Sequence, residues 1–142
     1  MARLASFRVD HKKLEGGEWV RPDEEFDDLE IRTRGYTDAY TDARAAKLRR
    51  AALPYGGDVS KIPNAEQRDI IADCLVAHCL LDVRNLENDD GQPVSFARFC
   101  EMVRDPAYPD LWAAATRAPA LVGRIRAGEA EDAVGNSAPR SA

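Results

Sequence analysis

The chain has 142 residues, of which 44% are hydrophobic and 32% are charged, a composition typical of a soluble domain large enough to bury its own core. Its formal net charge of -5 excludes a general attraction to nucleic acid or to an anionic membrane. No apolar run reaches the roughly 20 residues that a membrane-spanning helix needs, and residues 1–10 lack the apolar segment of a secretory signal. The sequence therefore predicts a cytoplasmic protein.

Alternating apolar and polar residues near the start of the chain predict a small antiparallel sheet. We expect a hairpin turn at 14–17, where Gly16 and Gly17 are free to adopt positive φ angles. A third strand is expected because a lone hairpin is barely stable. The three strands are predicted at 7–9, 18–20 and 29–34.

Helical periodicity governs the remainder of the chain. Four helices are expected, with Pro119 kinking or splitting the last one, at 37–52, 64–83, 95–105 and 110–126. The fold class is thus α+β, in a single domain over 1–127 with a sheet part at 5–34 and a helical part at 37–127. Residues 128–142 have the composition of a flexible tail.

The three cysteines lie within apolar helical patterns, at Cys74, Cys79 and Cys100. An odd number in such a setting predicts buried thiols in a reducing compartment rather than disulfides. Cys74 and His78 are one helical turn apart, but a zinc site takes at least three protein ligands and no third is suitably spaced. We therefore predict no metal and no cofactor.

Two charged segments are interpreted as solvated surface. Paired-acid catalysis by the acids at 23–28 is not favoured, because no apolar pocket is predicted that would raise the pKa of one carboxyl. A flexible, solvated loop is favoured. The alternative is that these acids contact a basic surface of a partner. The bases at 44–50 are interpreted as charges that complement the dipole of their helix. Contact of these bases with the phosphates of a nucleic acid is the less favoured interpretation. No phosphate-binding loop or catalytic triad is legible, so the sequence predicts a binding protein and not an enzyme.

Five short motifs occur in a fixed order along the chain. They are F-x-V-D at 7–10, E-G-G-E-W-V at 15–20, C-L-V-x-x-x-L-x-D-x-x-x-L at 74–86, D-G-Q-P-V-S-F at 90–96 and R-D-P-A-Y-P-D-L at 104–111. This order resembles the tail assembly chaperones of long-tailed phages and related prophages. The resemblance covers about residues 5 to 127.

The resemblance implies a protein that binds the long helical tape-measure protein, keeps it soluble and recruits tail-tube subunits in the host cytoplasm. Large apolar residues are the expected partner-binding side chains: Trp19, Phe96, Phe99, Met102, Leu111 and Trp112. Those on the last two helices are expected to form an exposed groove, and the alternative is that they pack into the core. Self-association is left open. The alternatives are a structural virion protein, such as a head–tail connector or minor tail component, and a small nucleic-acid-binding regulator.

Overall fold

Residues 1–124 are described by a computed structural model, and the predicted tail at 128–142 lies outside the described residues. The described part contains five α-helices and three β-strands, in the order α1 (His11–Gly16), β1 (Glu18–Val20), β2 (Glu30–Thr33), α2 (Asp38–Ala51), α3 (Asn64–His78), β3 (Leu80–Arg84), α4 (Phe96–Arg104) and α5 (Pro109–Leu121). Short 3-10 turns occur at Leu4–Phe7, Glu24–Phe26, Leu53–Tyr55 and Val59–Lys61. The predicted α+β class is confirmed.

The antiparallel sheet has the order β1-β2-β3 and takes its third strand from the middle of the chain. Ile31 in the central strand pairs with Val20 on one side and with Val83 on the other, and all three side chains are buried. A three-stranded antiparallel sheet is therefore confirmed. The expectation that all of its strands lie within 5–34 is wrong.

The segment at 7–9 is not a strand of this sheet. Val9 makes only an isolated bridge, to Arg124 at the far end of the described chain. The expected hairpin turn is replaced by α1, because the side chain of Asp10 accepts hydrogen bonds of 3.0 and 3.4 Å from N–H groups of the following turn. Such capping satisfies main-chain donors at the start of a helix and favours helix over turn.

The helix predicted to reach residue 83 ends at His78, and β3 begins at Leu80. Periodicity alone does not distinguish a short buried strand from the end of a buried helix. Pairing with β2 favours the strand, because it satisfies main-chain hydrogen-bonding groups and buries Val83 against Ile31. The prediction of helix over 79–83 is wrong for this long-range reason.

The other helices lie close to their predicted ranges. The Ser95 hydroxyl accepts a hydrogen bond of 3.1 Å from the N–H of Arg98, so Ser95 caps α4 as predicted. Helix α5 begins at Pro109 and ends at Leu121, so the prediction that the helix continues over 122–124 is wrong, and 125–126 lie outside the described residues. Pro119 is buried in the last turn, where it precedes the end of the helix and does not split it.

The core lies where the sheet, α3, α4 and α5 meet. Its fully buried side chains include Ile31, Leu75, Phe99, Val103 and Val122. Cys74 and Leu75 of α3 are buried in this core, so α3 is a core helix and Cys74 lies on an apolar helical face as predicted. Among residues 1–124, none of the helices has the length and apolar character required to cross a membrane.

Candidate functional site

A groove of about 490 Å³ opens between α3, α5 and the turn that joins α4 to α5, and we name it the α3–α5 groove. One wall is a single face of α3, since its lining residues recur at helical spacing: Ala65, Arg68, Asp69 and Ala72. The facing wall is the first turn and a half of α5, with Pro109, Trp112 and Ala113. The end is closed by Val103, Arg104, Asp105 and Pro106.

The floor of the α3–α5 groove is apolar and made of small or rigid residues. Ala72 and Val103 are each 1% exposed at its base, while Ala65 and Ala113 are exposed along its sides. Short side chains on both walls allow the main chain of a docked segment to approach α3 and α5 closely. A concave apolar surface between helices is the form that receives the apolar face of a partner helix.

Trp112 is the large side chain of this groove. Its indole Nε1 donates a hydrogen bond of 3.3 Å to the main-chain carbonyl of Arg68, which links α5 to α3. The bond satisfies the only polar atom of the side chain, so the ring needs no further polar partner. Trp112 is half-buried and lines the groove. An aromatic side chain held in this way is the type that most often anchors a protein interface.

The rim of the groove carries two bases and two acids, Arg68 and Arg104 with Asp69 and Asp105. The guanidinium of Arg104 lies 2.8 Å from the carboxylate of Asp73, so the end of α4 is tied to α3. The carboxylate of Asp105 accepts a hydrogen bond of 2.9 Å from the N–H of residue 107, which fixes the turn before α5. Because the rim charges balance, binding in this groove depends on apolar contact.

A second cavity, of about 620 Å³, opens between the turn before β2, the segment after β3 and the start of α5, and we name it the acidic cavity. Its apolar lining consists of Phe26, Leu29, Leu86 and Leu111. Its charged lining consists of four carboxylates and no base: Asp27, Asp28, Glu87 and Asp110. The cavity therefore combines an apolar interior with a negative potential.

The main chain around the acidic cavity is tightly constrained. Asp27 and Asn85 both line it, and among residues 1–124 they are the non-glycine residues with positive φ, at 54° and 62°. The Asn85 amide donates a hydrogen bond of 2.9 Å to the carbonyl of Asp28, which joins the two loops. Such conformations persist only where the surrounding structure holds them, so the shape of the cavity is fixed by the fold.

The structure separates the six residues expected to bind partners. Phe99 and Met102 are 0% and 8% exposed, so the expectation that they form part of an exposed surface is wrong. Helix α4 has only nine residues and a single apolar face, and that face covers the core. Phe96 is half-buried, with its ring centroid 6.4 Å from that of Phe99.

The other three expected residues lie at different places. Trp112 lines the α3–α5 groove, whereas its neighbour Leu111 lines the acidic cavity. Trp19 is half-buried in β1 and lines neither of them. The guanidinium of Arg84 lies 4.1 Å from the centroid of the Trp19 ring, and the same side chain contacts Glu30. Only Trp112 therefore contributes to the groove.

The three cysteines are buried and free, as predicted. Burial raises the pKa of each thiol, and it raises the pKa of Cys79 to about 12, with the nearby Cys74 adding to the effect. These thiols stay protonated near neutral pH, and a protonated thiol is a poor nucleophile and a poor metal ligand. In the described part of the chain, no three or more His, Cys, Asp and Glu residues are grouped so that they could hold a metal ion.

Several groove residues were missed by the sequence analysis, which singled out neither Arg68 nor Asp69. The pair of alanines at Ala65 and Ala72, which lie at helical spacing on the same face, is only a weak signal, because alanine is common on helices. Comparison with known proteins finds no match: no protein-family model, no curated protein and no solved structure is significantly similar to the chain.

Proposed function

We propose that this protein is a tail assembly chaperone of a long-tailed phage and that the α3–α5 groove binds an amphipathic helix of the tape-measure protein. The groove, with Trp112 fixed across its two walls, is the observation that carries the proposal. The order of the five sequence motifs supports it independently. The protein acts in the host cytoplasm during virion morphogenesis, recruits tail-tube subunits, and uses neither a cofactor nor a catalytic step.

A long helix with an apolar stripe aggregates in water unless that stripe is covered. Removing apolar surface from water contributes roughly 25 cal/mol per Å². Trp112 supplies a large apolar contact, and the alanines on both walls let the helix lie close to α3 and α5. The net charge of -5 on the chaperone favours solubility of the resulting complex.

The size of the groove limits what one copy can do. About 490 Å³ lies within the range of single small-ligand sites, so one groove covers only a short part of a helix. One such contact is weak, whereas many copies arranged along one tape-measure chain would hold it by avidity. The proposal therefore requires several chaperone copies for each tape-measure chain.

Co-expression of the full chain with the tape-measure protein of the same phage tests the proposal. The wild-type chain is expected to hold the tape-measure protein in the soluble fraction and to be missing from purified particles. Ala113→Arg places a long charged side chain in the groove and is expected to leave the tape-measure protein in the pellet. Ala97→Arg makes the same change at an exposed position of α4 outside the groove and is the matched control.

Two results would contradict the proposal. If Ala113→Arg keeps the tape-measure protein as soluble as Ala97→Arg does, the α3–α5 groove is not the binding site. If the chain is found in finished particles at a defined stoichiometry, it is a structural component of the virion and not a chaperone.

A further inference from the structure

The end of α2 and the turns that follow it form a surface that is both apolar and basic, and we name residues 47–61 the α2 tip. Leu53 is 71% exposed and Tyr55 is 37% exposed, although both are large apolar side chains. The same segment carries four bases and one acid: Lys47, Arg49, Arg50, Lys61 and Asp58. Exposed apolar side chains surrounded by charge of one sign are typical of an interaction surface.

The bases of the α2 tip and the carboxylates of the acidic cavity form no ion pairs within the described residues of one molecule. The carboxylate of Asp58 instead accepts hydrogen bonds from the N–H and the hydroxyl of Ser60, so the single acid of the tip is engaged locally.

We propose that the α2 tip of one copy docks into the acidic cavity of a second copy. Leu53 and Tyr55 enter against the apolar lining of the cavity, formed by Phe26, Leu29, Leu86 and Leu111. The bases of the tip then face the four carboxylates of the cavity rim. The two surfaces are complementary in both respects, since each joins apolar groups to a net charge, which is positive on the tip and negative in the cavity.

This contact is heterologous, because it joins two different surfaces of identical chains. When the tip of one copy occupies the cavity of another, the first copy still has a free cavity and the second a free tip. The contact can therefore repeat and produce a ring or an open filament. The inference goes beyond the proposed function and does not depend on it. If both proposals hold, the repeated contact places successive α3–α5 grooves along a partner helix. Binding by many grooves at once then supplies the avidity that one small groove lacks.

Sedimentation velocity of the full chain alone tests the inference. Self-association is expected at an ionic strength of about 0.01 M, where the Debye length is about 30 Å, and it should weaken at about 1 M, where that length is about 3 Å. The tip variant Arg49→Glu with Arg50→Glu should raise the dissociation constant by at least about tenfold, as should the cavity variant Asp28→Lys with Glu87→Lys.

Mixing the two variants gives the sharpest test. The tip variant leaves two bases against three acids on its tip, which then faces four carboxylates, so its copies repel one another. The cavity variant balances two lysines against Asp27 and Asp110, so its cavity no longer attracts the basic tip. In the mixture the unchanged basic tip of the cavity variant faces the unchanged acidic cavity of the tip variant, so one complementary contact remains. The equimolar mixture should therefore regain association in the form of pairs that contain one copy of each variant, whereas neither variant associates alone. Arg3→Glu with Arg8→Glu makes the same change in net charge as the tip variant, at exposed positions outside both surfaces, and should leave association unchanged.

Several outcomes would overturn the inference. These are a wild-type chain that stays monomeric at low ionic strength, an oligomer that neither variant weakens, and a mixture that does not regain association. A short DNA duplex bound by the wild-type tip, with no self-association, would assign the bases to nucleic acid instead. Because no tape-measure protein is present, failure of this test leaves the groove proposal to be judged separately by co-expression.

Discussion

The α3–α5 groove and the acidic cavity are built on neighbouring residues of one helix and differ in charge. Trp112 lines the groove and Leu111 lines the cavity, since successive residues of a helix point in directions about 100° apart. The groove rim balances two bases with two acids, whereas the cavity lining has four acids and no base. Apolar contact therefore dominates one surface and electrostatics the other, so the two surfaces suit different partners.

The largest effect is expected where a change removes both surfaces at once. Phe99→Ala deletes a fully buried ring of α4, and such changes cost about 3–5 kcal/mol of unfolding free energy. Chemical denaturation followed by circular dichroism measures it. Phe99 lines neither surface, so groove binding and self-association should fall together, in proportion to the fraction of this variant that is unfolded. A loss below about 1 kcal/mol would contradict the placement of Phe99 in the core.

A change on one side of α5 should weaken binding at the groove and leave the acidic cavity unaffected. Trp112→Ala removes the anchor of the groove and is expected to weaken binding of a tape-measure helix by about 2 kcal/mol or more. Calorimetric titration gives the affinity, and Trp19→Ala, at a half-buried tryptophan outside both surfaces, is the matched control. Self-association should be unchanged in Trp112→Ala. Equal losses of affinity in the two variants would remove Trp112 as the anchor.

Ionic strength should distinguish the surfaces without any mutation. Groove binding should change little between about 0.01 M and about 1 M salt, because the rim charges balance and apolar burial is not screened. Self-association should weaken strongly over the same range, because the cavity carries charge of one sign. Parallel titrations measure both. An equal salt dependence of the two would mean that the division into an apolar and an electrostatic surface is wrong.

The smallest effect is expected for the ion pair at the groove rim. Arg104 and Asp73 lie 2.8 Å apart, but their side chains are 44% and 45% exposed. Solvent screens such pairs, which typically contribute 0.2–1 kcal/mol, so Arg104→Gln should lower the unfolding free energy by about that amount or less. Groove binding should persist in the variant. Loss of binding would show that the pair is needed to position the end of α4.

Locally encoded elements were predictable from the sequence. Helix α4 begins where Ser95 caps it, and α2 follows its run of helix-forming residues, because both signals act within a few residues. Strand β3 was not predictable, since its apolar run fits a helix equally well until it pairs with β2. The acidic run at 23–28 was evident from the sequence. Its position in one cavity with Glu87 and Asp110 was not, because that position depends on the same long-range pairing.

The groove was predictable only in part. Trp112 was expected either in the core or at a partner-binding surface, because large aromatic side chains anchor both. The prediction of exposure for Phe99 and Met102 was wrong, because a short helix has only one apolar face and that face is needed to cover the core. The small wall formed by Ala65 and Ala72 gave no strong signal, because alanine on a helix is common whatever lies beside it.

Fluorescence of Trp112 tests the proposed binding mode most directly. The chain has two tryptophans, so Trp19→Phe leaves Trp112 as the sole emitter while keeping an aromatic ring in β1. Titration with synthetic amphipathic helices from the tape-measure sequence should shift the emission to shorter wavelength and saturate, because the exposed face of the indole leaves water. Adding Ala113→Arg should abolish the shift. Binding detected by calorimetry with no change in Trp112 emission would contradict the groove as the chaperone site.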